Sequence, residues 1–162
     1  MAYIDKNLEF SDAQAITATA ISTNVYDTLS VAEGGGSTGI SGGGVTTDLG
    51  QSGDSAYLVV IATSAAAGGD SAKTLTITLE SDSTANLATS ATVHFSTTAI
   101  LGSAITAGAR LATIELPHGL YERYIGLRYT VSASFTSFTV DAYITLEPAG
   151  VYRAYPGNFT VV

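Results

Sequence analysis

Lys73-Thr-Leu-Thr-Ile-Thr-Leu-Glu80 decides the fold class. In an extended chain Leu75, Ile77 and Leu79 point one way, while Thr74, Thr76, Thr78 and Glu80 point the other. A helix would scatter the same side chains around its circumference. One apolar and one polar face is the signature of a half-buried strand. The period recurs in Phe138, Val140, Ala142, Ile144 and Leu146 against Thr139, Asp141, Tyr143, Thr145 and Glu147. It returns in Ile125, Leu127, Tyr129 and Val131, and more weakly over 15–26, 91–96 and 109–116. Residues 56–63 are apolar on both faces, which predicts a central strand.

Turn-forming clusters separate these runs: Ala67-Gly-Gly-Asp-Ser71, Ser81-Asp-Ser-Thr84, Gly102, Pro117-His-Gly119 and Ser132-Ala-Ser134. Ser11-Asp-Ala-Gln14 has the spacing of a capping box, but alternation follows it, so it predicts at most one helical turn. About seven or eight strands at this spacing predict an all-β chain, a jelly-roll-like antiparallel β-sandwich. Composition agrees. Ala, Thr, Ser and Gly fill half of the 162 positions, and charged residues only 12%. The length suits one domain.

Two kinds of segment stand outside the predicted sandwich of residues 15–147. The stretch 33–47 is glycine-rich, with seven glycines between Glu33 and Gly44, and reads as a loop. The ends, 1–14 and 148–162, read as arms. They carry Tyr3, Ile4, Leu8 and Phe10 at one terminus and Val151, Tyr152, Tyr155 and Phe159 at the other. Chain ends are usually polar unless something holds them. Either a partner does so, or the arms fold back over an open end of their own sandwich.

Six basic residues, scattered along the chain, face fourteen acidic ones, for a net charge of −8. Nucleic-acid binding needs a clustered positive surface, so no nucleic-acid partner is expected. The longest apolar run, 56–62, falls far short of the ~20 residues of a spanning helix, and the start lacks signal-peptide order, so no membrane role is expected. With no cysteine, thiolate metal sites and cysteine nucleophiles are excluded. Manufacture in a reducing cytoplasm is the simplest reading.

The catalytic motifs fail on context. Gly34-Gly-Gly-Ser-Thr-Gly39 fits a dinucleotide-binding pattern and its last five residues fit a nucleophile elbow, but both need a strand before and a helix after. His94 and His118 have no ligand spacing to each other or to a carboxylate pair, and read as surface residues. Glu80 and Asp82 read as solvated side chains at a strand end. Asn158-Phe-Thr160 is a glycosylation sequon without a secretory signal to use it. No catalytic residue, metal ligand or cofactor is expected. Tyrosine, with nine copies, is the over-used residue. Tyr121, Tyr124 and Tyr129 cluster with Arg123 and Arg128, and Tyr124 and Arg128 share the face opposite the core. Tyr and Arg are favoured at binding hot spots.

The opening Ile4-Asp-Lys-Asn-Leu-Glu-Phe-Ser-Asp-Ala-Gln-Ala-Ile-Thr17, followed by Ser22-Thr-Asn-Val-Tyr-Asp27, resembles the start of capsid cement (decoration) proteins of tailed bacteriophages, of the Bordetella-phage cement-protein type. Ala56-Tyr-Leu-Val-Val60, Thr74-Leu-Thr-Ile-Thr-Leu79, Leu116-Pro117 and Arg123-Tyr-Ile-Gly-Leu-Arg-Tyr129 extend the resemblance in the family's order. The stretch 33–47 looks longer than the family's usual connection.

The resemblance implies a non-enzymatic structural protein of the virion, made in the bacterial host cytoplasm and bound to the outer surface of the head. It would stabilise the shell by bridging major capsid proteins. Its partners would be the major capsid protein and itself, a homodimer being favoured over a trimer. Capsid or oligomer contacts are then expected at Tyr3, Ile4, Leu8, Phe10, Tyr124, Arg128, Tyr152, Tyr155 and Phe159. The competing reading is a carbohydrate-binding or tail-fibre-like β-sandwich module, since jelly rolls often bind sugars. A hydrolase is a weaker third.

Overall fold

A computed structural model of the protein describes residues 6–28, 55–88, 90–146 and Pro148. Outside these fall the glycine-rich stretch 33–47, nearly all of the C-terminal segment, and the candidates Tyr3, Ile4, Tyr152, Tyr155 and Phe159. The described strands are β1 (Glu9–Ala15), β2 (Ala20–Ile21), β3 (Tyr26–Asp27), β4 (Tyr57–Ala62), β5 (Thr74–Asp82), β6 (Thr92–Ser96), β7 (Ile100–Leu101), β8 (Arg110–Glu115), β9 (Tyr124–Val131) and β10 (Thr139–Thr145). The described residues include no α-helix, only three short 3₁₀ turns.

All pairings are antiparallel, and they build two sheets. One has the order β1-β10-β4-β8; the other runs β2-β9-β5-β6, with β3 beside β9 and β7 beside β5. Taking β2–β3 and β6–β7 each as one interrupted strand leaves eight, ordered 1-8-3-6 and 2-7-4-5. That is the jelly roll, two sheets closed over a common core by Greek-key connections.

The alternating runs place that core as the sequence predicts. Leu75, Ile77 and Leu79 of β5, with Ile125, Leu127 and Tyr129 of β9, face Leu58, Val60 and Ala62 of β4 and Val140, Ala142 and Ile144 of β10. Each large side chain fully buried here contributes about 1.5–3 kcal/mol. β4 lies between β10 and β8, the central position expected of a run apolar on both faces. Phe135 and Phe138 close one end in an edge-to-face contact, 4.9 Å between centroids. Beside them Asp70 accepts bonds from Lys73 and from the Thr136 amide, both at 2.7 Å. Lys73, chiefly, holds the Asp70 carboxyl below its usual range.

Several expectations need correction. The arm assigned to residues 1–14 is not an arm from residue 8 onward: Leu8 packs on the core, Phe10 lies inside it, and Glu9–Ala15 is a strand beside β10. Burial of Phe10 outweighs any tendency of a chain end to fray. Ser11–Gln14 forms no helical turn. The predicted side-chain bond does exist, Ser11 Oγ to Gln14 Oε1 at 2.7 Å, but within a bulged strand where Ala13 has φ 45°. That amide donates to Asp141 Oδ1 at 2.7 Å. Ser81 and Asp82 continue β5 rather than turn, because the β5–β9 ladder reaches Tyr124. Leu146 lies beyond the end of β10 and is 64% exposed, so it joins no core face.

Candidate functional site

The outer face of β9 and β5 carries Tyr124 and Arg128, so it was the expected docking face. Register sets Tyr124 opposite Asp82, Gly126 opposite Glu80 and Arg128 opposite Thr78. From there Arg128 Nε reaches diagonally to Glu80, 2.9 and 3.1 Å from its two oxygens. Glu80 also accepts from Thr78 Oγ1 at 2.7 Å. Its side chain is only 6% exposed, against 30% for Arg128. A carboxylate so far removed from water needs a hydrogen-bonded counter-charge. Glu80 is therefore no solvated edge residue. Asp82 is buried too, its Oδ1 accepting from the Thr84 amide at 3.1 Å and from Ser83 Oγ at 3.2 Å.

Arg128 has a second task. Its Nη2 donates to the carbonyl of Leu87, in the loop after β5. Leu87 itself is buried, and a Cβ built on Gly126 would stand 2.9 Å from Leu87 Cδ1, 2.9 Å from Val25 Cγ1 and 3.3 Å from Ser22 Oγ. Gly126 is thus a notch in which the chain's own loops sit. Arg128, expected at a partner contact, clamps the Leu87 loop to the sheet. Its guanidinium is occupied by Glu80 and Leu87.

Tyr124 is half-buried, with the Arg123 guanidinium 4.8 Å from its ring centre. Arg123 bonds both oxygens of Asp27 at 3.0 Å, and this partner raises the guanidinium pKa above its ordinary value. Tyr129 is a core residue whose hydroxyl meets Ser11 Oγ at 2.8 Å. Burial, foremost, raises its pKa. Of the nine contact candidates the described residues thus include four. Tyr124 and Arg128 stand on one face; Leu8 and Phe10 belong to the core of the molecule.

The end of β5 brings together residues that sequence spacing did not connect. Ser81 Oγ lies 2.7 Å from His94 Nε2, and the Glu122 amide donates to the same hydroxyl at 3.0 Å. Glu122 accepts from Thr92 Oγ1 at 3.0 Å, and the Tyr121 ring stacks on His94 at 4.2 Å. Burial lowers the His94 pKa, with Glu122 opposing. A serine beside a histidine is the start of nucleophilic chemistry. Here Ser81 is wholly buried and its hydroxyl is shared with a backbone amide, so no substrate carbonyl can approach it. Its work is to join β5, β6 and the 117–123 loop. Among the described residues no three His, Asp or Glu side chains assemble as metal ligands, and no helix is long and apolar enough to cross a membrane.

A family model described as Bbp16 matches residues 10–144. The chain belongs to the Bbp16 family. The matched span runs from Phe10 of β1 to Ile144 of β10, so the Bbp16 region is the jelly roll itself. It contains the Gly126 notch, the Arg128–Glu80 pair and the Ser81–His94 contact. No curated protein matches the chain. Leu87 and the role of Gly126 escaped the sequence reading, which also took Glu80 for a solvated side chain, although one signal was present. A glycine inside a strand run, as in Arg123-Tyr-Ile-Gly-Leu-Arg-Tyr129, marks a close approach by another part of the structure.

Proposed function

We propose that this chain is a capsid cement protein, a structural subunit that binds the outer surface of a phage head and stabilises it by bridging major capsid proteins. The observation that carries the reading is the Bbp16 match across the whole sandwich, taken with the resemblance of residues 4–17 to Bordetella-phage cement proteins. Three physical features support it. The loop after β5 is held to the jelly roll by Arg128, and the buried Asp70 and Glu80 are ion-paired. The net charge of −8 suits a coat kept apart from packaged DNA. Many copies on a lattice convert weak single contacts into firm attachment. The subunit acts without catalysis or cofactor, with the major capsid protein and a second copy of itself as partners.

The test is retention on heads. Purified protein added to expanded heads that lack it should co-sediment in a fixed ratio to the major capsid protein and raise the temperature at which DNA is released. Absence from the pellet overturns the reading. Binding on a glycan array with no retention on heads would put the sugar-binding module in its place.

A further inference from the structure

β6 contains one residue more than β5 opposes. Leu79 pairs with Phe95, but Glu80 pairs with Val93, so His94 is extra. A bulge of this kind re-aims a side chain. The His94 ring touches two elements at once. Its Nε2 is 2.7 Å from Ser81 Oγ on β5, while Tyr121 of the 117–123 loop stacks on the ring. A Cβ built on Gly119 of that loop would stand 4.0 Å from His94 Nδ1. Two further bonds shape the loop: Tyr121 Oη donates to the Pro117 carbonyl at 2.6 Å, and Glu122 accepts from Thr92 Oγ1 at 3.0 Å. Within the loop Leu120 is 91% exposed.

Counting protons fixes the state of the ring. The Ser81 hydroxyl has one proton to give. It already accepts the Glu122 amide at 3.0 Å, and the side chain is wholly buried. Among the described residues its remaining partner is His94 Nε2. The hydroxyl proton therefore points at Nε2, which makes Nε2 the acceptor and leaves the proton of the neutral ring on Nδ1. A charged imidazole carries a proton on both nitrogens. Nε2–H would then meet the same oxygen as the Glu122 amide, and the buried hydroxyl proton would have no acceptor. Such an orphaned group is costly.

We infer that Ser81 and His94 form a proton-operated latch on the 117–123 loop: the neutral, Nδ1-protonated ring holds the loop and its exposed Leu120 to the end of β5, and protonation of Nε2 releases it. The direction of the His94 shift agrees, since burial lowers its pKa and Glu122 only opposes. The groups around the ring are few. The loop brings the Glu122 carboxylate and the Tyr121 phenol, with His118 exposed beside them. β5 brings neutral Ser81, with the next residue, Asp82, bonded by Ser83 and the Thr84 amide. β6 has no other titratable residue. Glu122 is what a charged imidazole attracts, so the released loop keeps its hold on β6 while losing its bond to β5. The inference goes beyond the proposed function and needs nothing from it, because every group in the latch belongs to this chain.

The chain has two histidines, so His118→Gln leaves one imidazole to follow by nitrogen-15 NMR. Well above pH 6.5, the ordinary value for the group, His94 should be the Nδ1–H tautomer, the minor form of a free imidazole. The Glu122 amide reports the Ser81 bond directly and should be protected from hydrogen exchange. Across the His94 titration its protection, corrected for the intrinsic rate, should fall at least about tenfold. The Phe135 amide, bonded to the Thr17 carbonyl, should lose less. His94→Gln should remove the pH dependence at Glu122. Ser81→Ala should return His94 to the Nε2–H form and raise its pKa. An Nε2–H tautomer with Ser81 intact overturns the inference, as does Glu122 protection that is unchanged across the titration, or an Nδ1–H ring in Ser81→Ala. The first two readouts leave the latch residues in place, so they decide even where Ser81→Ala fails to fold.

Discussion

Among the described strands β1 and β6 are both edge strands with interrupted register, β1 at two places and β6 at one, and the interruptions do opposite things. In β1 the irregularity turns side chains and an amide inward. Ser11 meets Tyr129 in the core, the Ala13 amide meets Asp141, and Gln14 bonds the Ile21 carbonyl and the Thr23 amide. Phe10 follows them into the interior. In β6 the extra His94 is held by Ser81 and Tyr121, and Val93 is displaced outward. The irregular register of β1 ties an edge to its own molecule, and that of β6 turns Val93 to the surface. The same local device therefore locks or presents a strand according to which neighbouring groups are left to satisfy.

The sharpest way to break the contrast is at Phe10. Phe10→Ala should cost about 3–5 kcal/mol of folding stability, measured by urea denaturation of the isolated protein. A loss below about 1 kcal/mol would return the segment to the status of an accessory arm. Next is Ser11→Ala, which leaves the buried Tyr129 hydroxyl without its partner and should cost about 1–3 kcal/mol. Ser11→Ala combined with Tyr129→Phe should recover part of that loss.

The β6 bulge is tested through pH. Well above pH 6.5 neither the folded nor the unfolded His94 is charged, and the residue contributes no pH dependence. As pH falls through 6.5 the unfolded chain takes up the proton first, because burial holds the folded imidazole neutral. Stability should fall until the folded imidazole is protonated as well. His94→Gln should flatten this part of the melting profile; parallel curves would mean that His94 is not constrained as described. The smallest effect is expected from Val93→Lys, within about 0.5 kcal/mol of wild type in folding stability, since the side chain is already half exposed.

Much of this architecture is legible in the sequence, and what is not has a physical reason. Strict alternation at Leu75, Ile77 and Leu79, and again at Val140, Ala142 and Ile144, gives both sheets their inner faces, because a period of two permits only one assignment of sides. Bulges defeat the same logic. One inserted residue reverses the sides beyond it, which is why alternation over 91–96 is weak and Ser11–Gln14 reads as a helical turn. Docking residues are less legible still. Arg128 and Tyr124 look free on an alternating strand, yet the partner of Arg128 is a glutamate forty-eight residues earlier in sequence and a loop carbonyl. Only the fold brings them together. The Bbp16 match over residues 10–144 is consistent with the Bordetella-phage part of the resemblance.

The most direct measurement of the central claim is a cryo-electron microscopy reconstruction of heads incubated with the protein and of matched heads without it. The account predicts added density on the outer surface only, at symmetry-related positions, into which the two-sheet jelly roll fits while touching more than one major capsid subunit. Identical reconstructions, or density confined to the tail or the inner surface, would contradict it.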